Sequence, residues 1–395
     1  MNLKKFILIS IIPLWIFIAL IEIAALLFLP AQYTVRRAWE VVTNYDGKDG
    51  YRIPFKPNYS FVGVVRGGDL LNWTRFKYHP EDLNKHVFTV DEYGFRNSIG
   101  LFKKGVEAVM MGNSYVGGSQ ETQDNLITEI LTTKYNIPSY NYALKPLQFF
   151  WEDTRFIRSP PKYVIVVGVE SEIIGSNWIE TVVESSAKYD VKEWSTYEEW
   201  RRANEVIAWS NFVLLSNKLK SRSAMRFYSN KVYIDILNTL FNRKTLAEMY
   251  KPPQVKYDSD LDMSFFTIEN DNPKFEVYGV KGFISGITTL KNTQEVLAKR
   301  GITLIVVAVP SKGNLYSKEY KNIKREDKAL PRFETEMEKN GIEHVKLYDS
   351  MYANSLKGKI YFFKDDTHWN SETNILIAQL LASKIKLLEK QGNLR

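Results

Sequence analysis

The sequence predicts an α/β fold in which a parallel sheet is covered by helices on both faces, giving three layers. From Val106 onward, short apolar runs alternate with amphipathic helical segments, an order typical of parallel strands joined by crossover helices. The chain has 395 residues, 45% of them hydrophobic, which is enough to bury a large core. No period of roughly 20–50 residues repeats, and this excludes a solenoid.

The first element is an almost continuously apolar segment, residues 6–29. Roughly 24 residues at about 1.5 Å each give about 36 Å, enough to cross a bilayer with tilt. We expect a retained anchor, because the run exceeds the apolar core of a signal peptide and no small-x-small cleavage site follows. Glu22 lies at a depth where charge is costly, so it either pairs with another helix or is protonated or reaches the interface.

A lead-in segment, residues 31–105, separates the anchor from the sheet. It is rich in aromatic residues, Pro and Gly and lacks a long amphipathic helix, so we expect irregular structure with strands. Its motif DEYGFRN, residues 91–97, predicts a turn-rich loop. The predicted organisation is therefore an anchor at 1–30, a lead-in at 31–105 and an α/β domain at 106–395.

The predicted core begins with a buried strand and a turn. Its elements in order are the strand VEAVMM (106–111), the turn GNSYVGG, the helix NLITEILTTKYN (125–136), the strand PSYNYAL (138–144), the helical segment LQFFWEDTRFIRS (147–159) and the strand VIVVGV (164–169). The last of these is apolar throughout, as expected for a strand buried on both sides.

Residues 178–280 interrupt this order and predict an insertion over the sheet, a candidate lid. The segment contains four tryptophans and a capping-box pattern, STYE at 195–198. The tryptophans could stack on sugar rings, but their spacing favours a place in the core. The α/β order then resumes with a helix (286–301), a strand (302–310), a helix (333–342), a strand end (344–350) and a final helix after DDTHWN (365–370).

Composition and motifs exclude several classes of function. The net charge is +8, yet no nucleic-acid-binding pattern accompanies it, and an anionic envelope explains it equally well. Because cysteine is absent, there is no disulfide framework, thiolate metal site or cysteine nucleophile. The chain has no phosphate-binding or dinucleotide-binding glycine motif and no metal-ligand cluster, so we expect neither metal nor cofactor.

Two short segments together contain the residues of a serine-based triad. Ser114, in GNSYVGGSQ (112–120), lies at a strand-to-helix turn, where helix N-terminus and backbone N–H groups stabilise negative charge. A serine needs a base, and His368 is the histidine that follows adjacent carboxylates. Asp365 or Asp366 would hold one ring nitrogen and leave the other for the serine. Loops at the carboxyl ends of the strands should bring these groups together.

Each segment also has a simpler explanation. A Gly-Asn-Ser tripeptide is common in turns, and paired aspartates before a helix are ordinary N-caps. Of the remaining histidines, His79 and His86 lie in the lead-in. His344 lies in a short segment before a strand, where a surface role is expected.

The two segments resemble one family. GNSYVGGS resembles the first block of the SGNH (GDSL-like) hydrolase superfamily, and DDTHWN resembles the Asp-x-His-Trp signature of its bacterial polysaccharide O-acetyltransferases, the alginate and peptidoglycan acetylating proteins. The resemblance covers about 106–175 and 281–390, with DEYGFRN and VPSKGNLY (309–316) similar to sequences near the core of membrane-anchored relatives. The chain runs serine before histidine, the usual order of the superfamily, whereas the alginate proteins run the reverse.

The resemblance implies roles for individual residues. Ser114 would be the nucleophile and His368 the general base. The Asp-x-x-His spacing of ordinary SGNH hydrolases selects Asp365, and the Asp-x-His-Trp spacing selects Asp366. We favour Asp366, because Trp369 completes the second pattern.

The oxyanion hole departs from the superfamily pattern. The third block, Gly-x-Asn-Asp, is replaced by GVES at 168–171, so an asparagine donor is missing, and loss of one donor typically costs about 10²–10³-fold in turnover. The second block corresponds to Asn141 or Ala143. The candidate oxyanion and substrate-binding residues are Gly112, Asn113, Asn141, Ser171 and Trp369.

The resulting expectation is a membrane-anchored O-acyltransferase, with acetyl as the expected group, that modifies a cell-surface or secreted polysaccharide. The resemblance implies a multi-pass membrane protein as acyl donor and an extracytoplasmic catalytic domain on a single-pass anchor. An esterase with the same triad and a catalytically silent envelope scaffold remain as alternatives.

Overall fold

A five-stranded parallel sheet lies at the centre of the computed structural model. The structure describes residues 3–29, 37–43, 53–65, 67–77, 85–175, 182, 186–204, 223–250, 255–266, 274–317 and 322–392. The strands are β1 (Ser60–Val64), β2 (Lys85–Thr89), β3 (Ala108–Met111), β4 (Ser139–Asn141), β5 (Tyr163–Val169), β6 (Val255–Asp258), β7 (Met263–Phe266), β8 (Thr303–Val309) and β9 (His344–Val345).

The sheet has the strand order β4-β3-β5-β8-β9, and every neighbouring pair is parallel. Strands β5 and β8 pair over their full lengths, from Tyr163 opposite Thr303 to Val169 opposite Val309. Two antiparallel pairs, β1–β2 and β6–β7, lie outside this sheet. The predicted parallel α/β fold is confirmed.

Helices cover both faces of the sheet, and others lie away from it. The described helices are α1 (Leu3–Phe28), α2 (Trp39–Val42), α3 (Leu71–Thr74), α4 (Ile127–Tyr135), α5 (Leu147–Glu152), α6 (Thr154–Arg158), α7 (Glu170–Ile174), α8 (Tyr197–Asn204), α9 (Ala224–Phe227), α10 (Tyr233–Leu240), α11 (Arg243–Tyr250), α12 (Phe275–Ala298), α13 (Lys312–Tyr316), α14 (Ala329–Lys339), α15 (Tyr348–Ser355) and α16 (Ser371–Gly392).

Two hydrophobic cores, one on each face, create the three layers. Because side chains alternate along a strand, Val109 and Met111 of β3 join one core while Ala108 and Met110 join the other. The first core packs α12 and α14 against the sheet, and the second packs α4 and α16. All seven residues of β5 are buried, as its apolar run predicts.

Three elements differ from the sequence prediction. The predicted helix at 147–159 divides into α5 and α6, because Asp153 has an extended backbone and its carboxylate caps α6. The predicted strand end at 344–350 contributes only two residues to the sheet before α15 begins. Helix α12 begins at Phe275, earlier than predicted, and bends at Gly279, where φ is +60°.

The interrupting region contains α8 to α11 and the β6–β7 pair. Trp194 and Trp200 are buried in the core beside the sheet, which agrees with a packing role, whereas Trp178 and Trp209 lie outside the described residues. The cap of α8 falls one residue later than predicted: Thr196 Oγ1 accepts from the N–H of Glu199 at 3.0 Å.

One helix in the described part of the chain, α1, is long and apolar enough to cross a membrane, over Ile9–Phe28. Its acidic residue has partners within this same chain. The Glu22 carboxylate accepts hydrogen bonds from Ser223 Oγ at 3.2 Å and from the N–H groups of Ala224 and Met225, both at 3.0 Å. Glu22 therefore caps the N-terminus of α9, so that, of the alternatives predicted for it, pairing with another helix is found within this chain.

Candidate active site

The candidate site lies where the strand order reverses. In chain order the five strands of the sheet run 2-1-3-4-5. The chain goes from β3 to β4 on one side and then returns past β3 to β5 on the other side, and this reversal opens a crevice at the carboxyl ends of β3 and β5. The loop that follows β3 begins at Gly112 and contains Ser114. The sheet therefore places this serine at the position where doubly wound folds bind ligands.

A tight turn presents Ser114. The N–H groups of Gly117 and Ser119 donate to the carbonyls of Asn113 and Ser114 at 2.9 and 3.1 Å. A Cβ at Gly112 would lie 2.4 Å from the carbonyl oxygen of Val167, so only glycine lets this turn leave β3 so close to β5. Ser114 is half-buried, and its hydroxyl is at the edge of the crevice.

A continuous chain of hydrogen bonds joins the predicted triad residues. Ser114 Oγ lies 2.8 Å from His368 Nε2. His368 Nδ1 forms a short hydrogen bond with Asp366 Oδ1, which also accepts the backbone N–H of His368 at 2.8 Å. One ring nitrogen thus faces the serine and the other faces the carboxylate, the arrangement in which a histidine can take the serine proton.

The neighbouring aspartate points elsewhere. Asp365 is fully buried and pairs with the guanidinium of Arg243, and Ser264 Oγ donates to it at 3.4 Å. The structure brings Asp366, and not Asp365, to the imidazole of His368.

The second carboxylate oxygen of Asp366, Oδ2, also accepts hydrogen bonds. It accepts from Gln120 Nε2 at 3.0 Å and from the N–H of Asp69 at 2.8 Å. Burial alone would raise the pKa of Asp366, but the positive charge of His368 and the hydrogen bonds from it outweigh burial, and the pKa is lowered. Asp366 is therefore ionised at neutral pH, as the stabilisation of an imidazolium requires.

A further serine lies beside the imidazole. Ser119 Oγ is 3.2 Å from His368 Nε2, and Ser119 is buried, with 4% of its surface exposed. Ser114 is the closer and more accessible of the two hydroxyls.

Sequence reasoning missed Asp69, which the lead-in contributes to the site. Its Oδ2 accepts from Thr367 Oγ1 at 2.7 Å and lies 3.4 Å from His368 Nδ1, while Oδ1 pairs with Arg37. A Cβ at Gly68 would lie 2.4 Å from the Asp365 carbonyl oxygen, so glycine permits this approach. The sequence signal was the Gly-Gly-Asp turn, but nothing local links it to a loop about 300 residues away.

The loop that holds Asp366 is fixed by Lys312. This lysine is 3% exposed, and its ammonium donates to the carbonyls of Ser264, Phe363, Lys364 and Asp366 at 2.7–3.0 Å. The structure shows a buried cation that satisfies backbone carbonyls and orients the histidine loop.

Arg96, from the DEYGFRN motif, fixes the serine turn in the same way. It is 1% exposed, and its guanidinium donates to the carbonyls of Gly117, Gly118 and Glu121. Burial lowers its pKa to about 9, so the group remains charged at neutral pH. DEYGFRN is thus a supporting loop of the site.

The predicted oxyanion-hole donors differ in whether they already donate a hydrogen bond to another group. Among the described contacts, the N–H of Ser114 donates to no acceptor, which leaves it available to an oxyanion. Asn113 Oδ1 accepts the N–H of Tyr115 at 3.0 Å, and its amide donates to Glu172. Asn141 is buried, and its amide donates to the Val116 carbonyl at 2.9 Å, so it would have to leave this bond to reach an oxyanion.

The GVES segment forms the end of β5 and the start of α7. Glu170 is fully buried and accepts the N–H of Ser311 at 2.8 Å, and burial raises its pKa. Ser171 is half-buried at the first turn of α7. Here Glu170 connects β5 to the loop after β8, a role in packing that the sequence did not indicate.

A small cavity of about 20 Å³ lies next to the serine turn, with room for about one small group. Gly112, Asn113, Gly168, Lys145 and Glu172 are among its lining residues. Burial lowers the pKa of Lys145 to about 8 and raises that of Glu172. The cavity thus brings a basic and an acidic side chain, Lys145 and Glu172, to the place where the superfamily's third block would lie.

Trp369 is a buried residue next to His368 in the chain and packs against Tyr115, which also packs against His368. Its indole N–H donates to Asn374 Oδ1 at 2.7 Å, and the ring is buried. Tyr115 packs against both His368 and Trp369, with ring centroids 4.4 and 4.7 Å away. The predicted substrate contact of Trp369 would require this buried ring to become exposed, whereas its observed place is structural.

The other histidines lie outside this arrangement. His86 is buried on β2, and burial lowers its pKa to about 4. His344 Nδ1 lies 2.8 Å from the Ile342 carbonyl oxygen, and His79 lies outside the described residues. Atoms of Asp69, Asp366 and His368 lie within 4.8 Å of one another, a spacing that could suit a metal ion, but the hydrogen bonds described above already engage them.

The C-terminal part of the chain matches a known family. Residues 281–394 match the family model described as SGNH hydrolase-like domain, acetyltransferase AlgX. This match confirms the resemblance to the O-acetyltransferase branch of the SGNH superfamily. The matched residues include Asp366 and His368. Ser114 lies outside the matched range, and the fold brings it to His368. A search of curated proteins found no significant match to the chain.

Proposed function

We propose that this chain, with an SGNH hydrolase-like domain in its C-terminal part, is a membrane-anchored O-acyltransferase. It transfers an acyl group, acetyl in the first instance, to hydroxyls of a cell-surface or secreted polysaccharide through an ester on Ser114. The observation that carries the proposal is the hydrogen-bonded series from Ser114 Oγ through His368 to Asp366.

The first half-reaction forms the acyl-enzyme. His368 Nε2 takes the proton of Ser114 Oγ, and the oxygen attacks the carbonyl carbon of the donor. The N–H of Ser114 stabilises the resulting oxyanion, and the charge on Asp366 stabilises the imidazolium. The tetrahedral intermediate collapses when His368 returns its proton to the leaving group, which breaks the bond between the acyl carbon and the donor.

The second half-reaction transfers the acyl group. His368 takes the proton of a sugar hydroxyl, whose oxygen attacks the ester carbon. The bond to Ser114 Oγ breaks, and the serine regains its proton from His368. Water in place of the sugar would give an esterase, so exclusion of water from the crevice decides the outcome.

The same proposal places the protein in the cell envelope. Helix α1 would be a retained single-pass anchor with the catalytic domain outside the membrane, and a multi-pass membrane protein would present the acyl donor. The length and apolar surface of α1 support an anchor.

Trapping the acyl-enzyme tests the nucleophile. We expect p-nitrophenyl acetate to acetylate the full-length protein, with the label on the peptide that contains Ser114 in mass spectrometry. Ser114→Ala should abolish labelling, whereas the matched variant Ser119→Ala should retain it, because Ser119 is buried and farther from His368. A label on Ser119 would overturn the assignment.

Product analysis then separates the three functions. An acyltransferase yields acetylated oligosaccharide in excess over free acetate, and an esterase yields acetate whether or not a sugar acceptor is present. If the wild-type protein is folded but never acquires the label, the scaffold alternative is correct and the enzymatic proposal fails.

A further inference from the structure

We infer that the helical segment 224–240 is a lipid-contacting element that lies in the interfacial region of the bilayer beside α1. The segment joins α9, a π-helical turn at Tyr228–Val232 and α10 without a break. The inference rests on the proposed membrane anchor and is independent of the proposed chemistry. Its ligand class is the headgroup and upper acyl region of a phospholipid bilayer.

The depth of the segment follows from Glu22. The end of α1 at Phe28 lies six positions after Glu22, which at about 1.5 Å per residue is about 9 Å along the helix axis. The three hydrogen bonds to Glu22 therefore hold the start of α9 about 9 Å inside the end of the apolar helix. Interfacial amphipathic helices bury their apolar face to about 5–10 Å.

The hydrogen bonds to Glu22 also lower the free-energy cost of placing its carboxylate and the start of α9 within the bilayer. The first N–H groups of a helix have no intrahelical acceptor, and an unpaired carboxylate within a bilayer is costly. The N–H groups of Ala224 and Met225 donate to Glu22. These hydrogen bonds give the N–H groups an acceptor and give the carboxylate two donors. Arg226 adds an ion pair with Glu40 at 2.9 Å, just beyond the anchor.

An exposed apolar stripe runs along the segment. Met225, Tyr228, Ile236 and Leu240 are 64, 50, 47 and 67% exposed. Their spacings are three, eight and four residues, and the extra residue of the π-helical turn makes the spacing of eight equivalent to seven in a regular helix. All four side chains therefore lie on one face, the pattern of an amphipathic helix.

The remaining surface of the segment is attached to the protein. Ile234 is buried, and Leu237 packs against the cluster formed by Leu71, Phe76 and Leu246. Asn238 donates to the carbonyl of Arg75 at 3.0 Å and accepts the N–H of Lys77 at 2.9 Å. The stripe is therefore held rigidly outward, beside a helix that itself contacts lipid.

Depth-dependent quenching tests the inference on the full-length protein. Because the chain has no cysteine, Met225→Cys and Leu240→Cys can each carry a single fluorophore after reconstitution into phosphatidylcholine–phosphatidylglycerol vesicles. We expect spin labels near the lipid headgroup to quench both fluorophores at least about threefold more strongly than spin labels near the acyl-chain end.

Two positions serve as controls. Leu387→Cys carries the fluorophore on α16, where the leucine is 49% exposed and far along the chain from α1, and it should respond to aqueous iodide but not to lipid quenchers. Leu14→Cys, within α1, should respond most to the deep spin label. If this α1 label is not quenched, the anchor itself is wrong, and that failure is distinguishable from the failure of the inference.

Two outcomes would overturn the inference while the α1 label reports insertion. Fluorophores at Met225 and Leu240 that respond to iodide as strongly as the α16 label would show that the stripe faces water. Shielding from both lipid and iodide would show that protein, a partner or a second copy, covers it.

Discussion

At the scale of single residues, two adjacent carboxylates have different partners. Asp366 contacts His368, Gln120 and the backbone of Asp69, whereas Asp365 pairs with Arg243. Both side chains are fully buried, so exposure does not distinguish them. The two aspartates differ in the direction of their side chains, because the turn places these side chains on opposite sides of the loop.

This difference predicts opposite phenotypes. Asp366→Asn should lower kcat by about 10³–10⁴-fold, because the imidazolium loses its counter-charge and the tautomer changes. Asp365→Asn should leave kcat within a few-fold but lower the free energy of unfolding by about 1–3 kcal/mol, because Arg243 loses its partner. Steady-state ester hydrolysis and thermal unfolding measure the two effects, and a larger kcat loss for Asp365→Asn would reverse the assignment.

At the scale of elements, buried charged side chains fix the loops between strands and helices. Glu334, on α14, is 3% exposed and accepts the N–H of Leu347 at 3.1 Å, just before α15. Burial raises its pKa from 4.5 to about 7. A carboxyl group with a raised pKa stabilises the fold below its unfolded pKa, and this contribution is lost as the pH rises through its folded pKa.

Glu334→Gln should therefore stabilise the protein at alkaline pH. The neutral amide can still accept from the backbone but carries no buried charge, so the gain at pH 8 should be on the order of 1–3 kcal/mol, with little change near pH 4.5. Unfolding of the full chain in detergent at the two pH values measures this. Glu338→Gln, exposed on the same helix, is the control, and an equal effect of Glu334→Gln at both pH values would refute the explanation.

At the scale of the whole molecule, distant segments meet at the imidazole. The lead-in contributes Asp69 and Arg37, the loop after β3 contributes Ser114, and the loop before α16 contributes His368. The charge of Asp69 lies 3.4 Å from the imidazole and is partly balanced by Arg37. The segment next to the anchor is thus part of the site.

The charge balance predicts opposite shifts in pH dependence. Asp69→Asn removes a negative charge, which disfavours the imidazolium, so the acidic limb of the kcat/KM profile should move to lower pH and kcat/KM should fall by about tenfold. Arg37→Gln removes a positive charge and should move the same limb to higher pH. Shifts in one direction for both variants would indicate only a structural role for the pair.

The sequence by itself determined the features that depend on local pattern. Alternation of apolar runs predicted the parallel sheet, the long apolar segment predicted α1, and two short motifs predicted Ser114 and His368. The sheet and the helix were predictable because strand burial and helix length are properties of neighbouring residues, and the roles of Ser114 and His368 stay predictions. Element boundaries failed where a single cap, such as Asp153, ended a helix that the apolar pattern would have continued.

Only the tertiary structure decided which groups meet. It selected Asp366 over Asp365 as the partner of the histidine, and it brought Asp69 to the imidazole. It also showed that Lys312 and Arg96 hold backbone carbonyls rather than ligands. The physical reason is that a charged side chain and its backbone acceptors are distant in sequence, so their pairing gives no periodic pattern in the sequence. Which groups pair depends on how the layers of the fold pack together.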